Sequence, residues 1–111
     1  MERTSDFGKI VGYAELAMAG LTCFEPPEGF ETLEEKALFG NVDLTRIALP
    51  STFKHWGHDC VGACDNLREV YLHEECTRDI VERVRQSVSG NVAVYWGGKK
   101  IPAFPSGTQS A

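Results

Sequence analysis

The sequence lacks an apolar stretch long enough to cross a bilayer. The first candidate, residues 10 to 24, carries Glu15 and falls short of the roughly 20 residues that a helical span needs. No basic leader precedes that stretch, so no secretory signal is read. The expected location is the cytoplasm, or the exterior if the chain is a piece of a surface protein. Positive charge is also scarce: 11 Lys and Arg face 16 Asp and Glu, and the net charge of −5 opposes the counterion release that drives most nucleic-acid binding. Neither nucleic acid nor membrane is an expected partner. Cysteine is limited to four residues, and none forms a C-x-x-C pair of the kind found in zinc knuckles. Without an export signal the four are read as thiols. No Gly-rich phosphate loop, Ser-His-Asp order or paired-carboxylate motif is present, which removes the usual sequence signs of an enzyme.

What is present is an ordinary globular composition, 42% apolar and 24% charged in 111 residues, enough for one domain with its own core. The acids Glu25, Glu28, Glu31, Glu34 and Glu35 gather in one stretch, and Arg78, Arg83 and Arg85 in a later one; both read as solvated faces.

Compared with itself, the chain shows a period. Leu44, Ile47, Leu49 and Pro50 are echoed 23 residues later by Leu67, Val70, Leu72 and His73, and 23 residues earlier by Leu21, Phe24, Pro26 and Pro27. Between these anchors Phe30 falls under Phe53 and Cys76, Leu33 under Trp56, Ala37 under Cys60, Leu38 under Val61, and Asn41 under Cys64. The spacing has a physical sense of its own. In L-x-x-I-x-L the last two apolar residues alternate with outward ones, as a strand with one buried face requires. A proline directly after it ends the ladder. The second half of each unit then returns to the start of the next strand and fills the interior on the way.

These positions resemble the bacterial surface-antigen, or BspA-like, type of leucine-rich repeat. Residues 44 to 67 match its unit best, through Leu44, Ile47, Leu49, Pro50, Phe53, Trp56, Gly57, Cys64 and Leu67, with Cys60 and Val61 in place of its Ala-Phe pair. The resemblance implies an α/β fold: a short leucine-rich-repeat solenoid of about three and a half repeats, one short strand per repeat, with helical or irregular returns. It also implies roles in adhesion and protein binding. Within residues 1–96 the expected parts are a half-unit at 10–20 (Ile10, Tyr13, Ala14, Met18), units at 21–43, 44–66 and 67–90, and a closing strand at 91–95. Residues 97–111 are expected to form a flexible tail. Thr32 followed by Glu35 predicts a capped, helix-like first return with Leu33, Ala37 and Leu38 inward. Thr77 predicts a longer helix carrying Ile80, Val81, Val84 and Val88 on one face and ending at Gly90.

Two groups of residues invite a functional reading. The outward positions of adjacent strands, Cys23 and Glu25, Arg46 and Ala48, Glu69 and Tyr71, Ala93 and Tyr95, are expected to line one face. Arg46, Glu69, Tyr71 and Tyr95 are its candidate binding residues for another protein, because Tyr and Arg often dominate binding energy. Arg46 is equally able to pair with Glu69, and Tyr71 to stack on Tyr95, simply to cover the sheet. The alternative is zinc binding or cysteine-dependent chemistry at His55, His58, Cys60 and Cys64, four ligand types within ten residues. The repeat explains Cys60 and Cys64 as small buried hydrophobes instead. The expectation is therefore a non-enzymatic protein-interaction module without cofactor or metal, either a small effector or inhibitor or a fragment of a larger surface protein. Self-association through exposed solenoid ends is a further expectation, with Trp96 placed to cover one of them.

Overall fold

Alternation of inward and outward residues organises the chain, and each alternating segment pairs with its counterpart one period on. In the computed structural model, which describes residues 9–88 and 91–101, the strands are β1 (Ile10–Val11), β2 (Cys23–Phe24), β3 (Thr32–Leu33), β4 (Arg46–Leu49), β5 (His55–Trp56), β6 (Glu69–Leu72), β7 (Ala93–Trp96) and β8 (Lys99–Ile101). A single helix, α1 (Arg78–Ser87), lies between β6 and β7. β1, β3 and β5 form one parallel sheet; β2, β4, β6 and β7 form a second, to which β8 adds an antiparallel edge. Arg46 lies beside Cys23 and beside Glu69, each 23 residues away, and Glu69 lies beside Ala93, 24 away. The core fills the space between the sheets. Phe24, Phe30, Phe53 and Trp56 run through it as successive edge and stacked ring contacts, with centroids 5.6, 6.1 and 6.4 Å apart.

The expected solenoid with one strand per repeat is overturned. Two sheets, of three and five strands, and one helix form a compact globule whose radius of gyration, 13.1 Å, matches the value of about 13 Å typical of globules of this length. The physical reason lies in the returns. Thr32 does not cap a helix; Thr32 and Leu33 form β3, held between β1 and β5, and the expected helical first return is absent. Beyond β3 the chain turns repeatedly, and alternate amides bond sideways: Ala14, Leu16 and Met18 N–H donate to the carbonyls of Glu35, Ala37 and Phe39, and Lys36, Leu38 and Gly40 N–H to those of His58, Cys60 and Gly62. A helix would consume these donors internally. The turns need left-handed backbone at repeated positions, with φ of 51°, 56° and 58° at Ala14, Lys36 and Asp59, and 54°, 77° and 59° at Met18, Gly40 and Ala63.

The upstream half-unit is also shifted by one residue. Ile10 pairs with Thr32 and Val11 with Leu33, an offset of 22, so Val11 is buried while Ile10 is half exposed. In the same register Leu16, not Glu15, packs against the core.

Asn41 ties the layers together. Its side chain is fully buried; Nδ2 donates to the carbonyls of Leu16 and Leu38 at 3.0 and 2.7 Å, and Oδ1 accepts from the Leu21 amide at 3.0 Å. Cys64, one period on, repeats one of these contacts, its Sγ donating to the Leu38 carbonyl at 3.2 Å. The long return of the third unit does form the expected helix: Thr77 Oγ1 accepts from the Ile80 amide, and Ile80, Val81 and Val84 are buried. The helix ends at Ser87, with the Val88 amide bonded to Val84; Gly90, the expected stop, lies outside the described residues. Gly97 and Gly98, both at positive φ (59° and 87°), make a two-residue turn that pairs Trp96 with Lys99. The expected tail therefore begins with a hairpin and β8; residues 102–111 lie outside the described residues. Among the described residues no helix is long and apolar enough to cross a membrane.

Candidate binding face

β4, β6 and β7 bury Ile47, Leu49, Val70, Leu72 and Val94, which leaves the intervening side chains on the opposite face of the five-stranded sheet. The pairing register brings Tyr71 directly beside Tyr95, and their rings stack with centroids 4.8 Å apart and planes 10° from parallel. The Arg46 guanidinium sits over the Tyr71 ring, 5.0 Å from its centroid. Arg46 and Glu69 are register neighbours, but the ion pair of Arg46 is with Glu25, Nε to Oε2 at 3.2 Å. Glu69 instead serves Tyr71 on its own strand: desolvation first, and then the charge and hydrogen bond of Glu69, push the Tyr71 phenol above its ordinary range. Ala48 and Ala93 keep the sheet low on either side of the Tyr71 strand.

All four expected residues thus share one face, and the structure extends it at both ends. Glu25 anchors one end through Arg46, and Lys100 on β8 lies opposite Tyr95 at the other. The result is a row from acid through guanidinium and two stacked phenols to an ammonium. Lys100 escaped the reading of the sequence, although Gly97-Gly98 between Val94-Tyr95-Trp96 and Lys99-Lys100-Ile101 is a hairpin signal.

The His and Cys group is dispersed. His55 and His58 are exposed and line an open cleft of about 660 Å³ with Trp56, Asp59, Arg83, Gln86 and Ser87. Cys60 points into the core, where burial first and the nearby Cys64 second raise its thiol far above the ordinary range. Cys64 and Cys76 are also raised, chiefly by desolvation. A thiol held protonated is a poor nucleophile and a poor metal ligand. Among the described residues no group of three or more His, Cys, Asp or Glu converges as a metal site, and all four cysteines are free, Cys23 exposed. Trp56 occupies the interior as its register position predicts, and Trp96 is partly buried against the core.

No family model, curated protein or solved structure matches the chain.

Proposed function

We propose that the chain is a non-enzymatic protein-recognition module that binds another protein through the outward face of the five-stranded sheet. The Arg46, Tyr71 and Tyr95 stack carries this reading. Three large side chains lie in van der Waals register on adjacent strands, so little rotamer freedom remains to be lost when a partner covers them. Tyr and Arg are also the residue types that most often concentrate binding energy. Glu25 holds Arg46 in place through its ion pair, while Lys100 extends the polar rim. The net charge of −5 favours a protein partner over nucleic acid. The resemblance of residues 44 to 67 to a repeat family with protein-binding roles supports the same reading.

The test is affinity capture from the native host with the full chain and with Tyr71→Ala, followed by purification of the captured protein and measurement of Kd for each. Tyr71→Ala is expected to weaken binding about 30-fold or more, as loss of a hot-spot residue does, while the melting curve stays close to the parent. A folded variant with unchanged affinity refutes the face.

A further inference from the structure

The turn ladder that joins the layers stops before its donors run out. Ala14, Leu16 and Met18 donate their amides to the second turn, and Lys36, Leu38 and Gly40 donate theirs to the third. In the third turn the equivalent residues are Asp59, Val61 and Ala63: Asp59 and Ala63 share the left-handed φ of Lys36 and Gly40. Their N–H groups have no partner among the described residues, because α1 occupies the place of a fourth turn. Between the third turn and the C-terminal half of α1 runs a groove. One part is lined by residues 55–59 with Arg83, Gln86 and Ser87; the other is lined by residues 61–65 and Leu67, with Asp65 among them, and by Ser87, Val88 and Val92. Ser87 is common to both parts. Trp56, which lines the first part, carries an indole N–H that is buried and has no hydrogen-bond partner among the described residues.

We propose that this groove binds a turn-forming peptide segment of a partner polypeptide by continuing the ladder, with alternate carbonyls of the peptide accepting from the Asp59, Val61 and Ala63 amides. The two preceding turns show what such a row accepts: carbonyls two residues apart on a chain running parallel to it. Addition of a strand to an unpaired backbone edge is a general mode of peptide recognition, in which the backbone supplies affinity and the flanking side chains supply selectivity. The parallel direction sets the peptide's side-chain chemistry. Its leading end meets His55, His58 and Gln86, beside Asp59 and the Arg83 that Asp79 already pairs, which favours a polar residue able to hydrogen-bond there. Its trailing end lies over Val61, Leu67, Val88 and Val92, with Asp65 and Ser87 at their edge, which accommodates a small apolar residue flanked by polar contacts. This site is separate from the stacked tyrosines and does not depend on them.

The chain supplies a suitable probe. Residues Leu33 to Gly40, Leu-Glu-Glu-Lys-Ala-Leu-Phe-Gly, already present the Glu35, Ala37 and Phe39 carbonyls to such a row. A capped synthetic peptide of this sequence is titrated into the 15N-labelled full chain up to about 1 mM, the range of weak but specific binding. The expected result is saturable shifts of the Asp59, Val61 and Ala63 amides, with exchange slowed about ten-fold or more at saturation. Ser87→Trp fills the groove from an exposed position and is expected to abolish these changes while the spectrum of the rest of the fold persists. Absence of saturable change at the three amides in the folded parent overturns the proposal, as do equal shifts in Ser87→Trp. Concentration-dependent protection of the same amides without peptide assigns the row to a second copy of the chain and likewise overturns it.

Discussion

Replacing Asn41 by Ala removes a side chain that bonds three backbone segments. The Leu21 amide loses its acceptor, and the carbonyls of Leu16 and Leu38 lose a donor each. The losses are unequal. Leu38 keeps the Cys64 thiol at 3.2 Å and the Asn41 amide at 3.4 Å, and Leu16 keeps the Ala19 amide at 3.3 Å, whereas Leu21 N–H keeps nothing among the described residues. With an orphaned buried group costing about 1 to 3 kcal/mol and the partly satisfied ones less, the expected loss is about 2 to 4 kcal/mol. That is a large share of the roughly 5 to 15 kcal/mol that stabilises a domain. Urea unfolding followed by circular dichroism measures it directly: at a slope of about 2 kcal/mol per molar, the midpoint falls by about 1 to 2 M. Asn41→Cys places in the second turn the thiol that Cys64 supplies in the third, and is expected to fall between the parent and Asn41→Ala. A loss below about 1 kcal/mol for Asn41→Ala, at unchanged slope, refutes the role given to this side chain.

Other consequences follow from single positions. Gly57→Ala sets a Cβ 2.4 Å from the Glu34 carbonyl carbon, so β5 must move away from β3 and a loss of about 3 kcal/mol or more is expected in the same unfolding experiment. Ala63→Gly relieves left-handed strain at the position where the preceding turn has Gly40, and is expected to raise stability by about 0.5 to 1 kcal/mol after the entropic cost of glycine is subtracted. Glu28 accepts from the hydroxyl and amide of Ser51 at 2.6 and 3.1 Å, which hold its carboxyl below the ordinary 4.5. Because the folded value is the lower one, this contribution is complete above 4.5 and fades as pH falls through the folded value. The acid side of the stability profile is expected to flatten in Ser51→Ala, and an unchanged profile counts against the contact. Iodoacetamide at neutral pH is expected to label Cys23 alone at once, with Cys60 and Cys76 reacting only on unfolding; rapid native labelling of Cys60 returns the thiol chemistry to contention.

The sequence period carried much of this arrangement because backbone pairing follows it. The 23-residue echo of Leu44, Ile47 and Leu49 became the register of β4 with β6, and Phe30 with Phe53 became a stacked pair in the core. The stacking of Tyr71 on Tyr95 followed from the same register. The returns were less legible. Thr32 and Glu35 fit a helix cap by residue type, yet sideways bonding between turns won, and nothing in the side chains of Lys36 or Asp59 announces a left-handed backbone. The one-residue deletion between Met18 and Cys23 was hidden because Ile10 and Val11 are both apolar. Arg46 found Glu25 rather than Glu69, a choice set by side-chain reach that strand pairing alone does not determine.

The central claim is that a partner protein covers the outward face of the five-stranded sheet. A photo-crosslinking benzoylphenylalanine placed at Ala48, on the Arg46 strand and directly beside Tyr71, reports on it, with the same group at Gln86 on α1 reporting on the separate groove. Ala48 is expected to crosslink to the protein captured by the parent chain, and Tyr71→Ala to reduce the yield. Crosslinking of that protein from Gln86 and not from Ala48, with the fold intact, contradicts it.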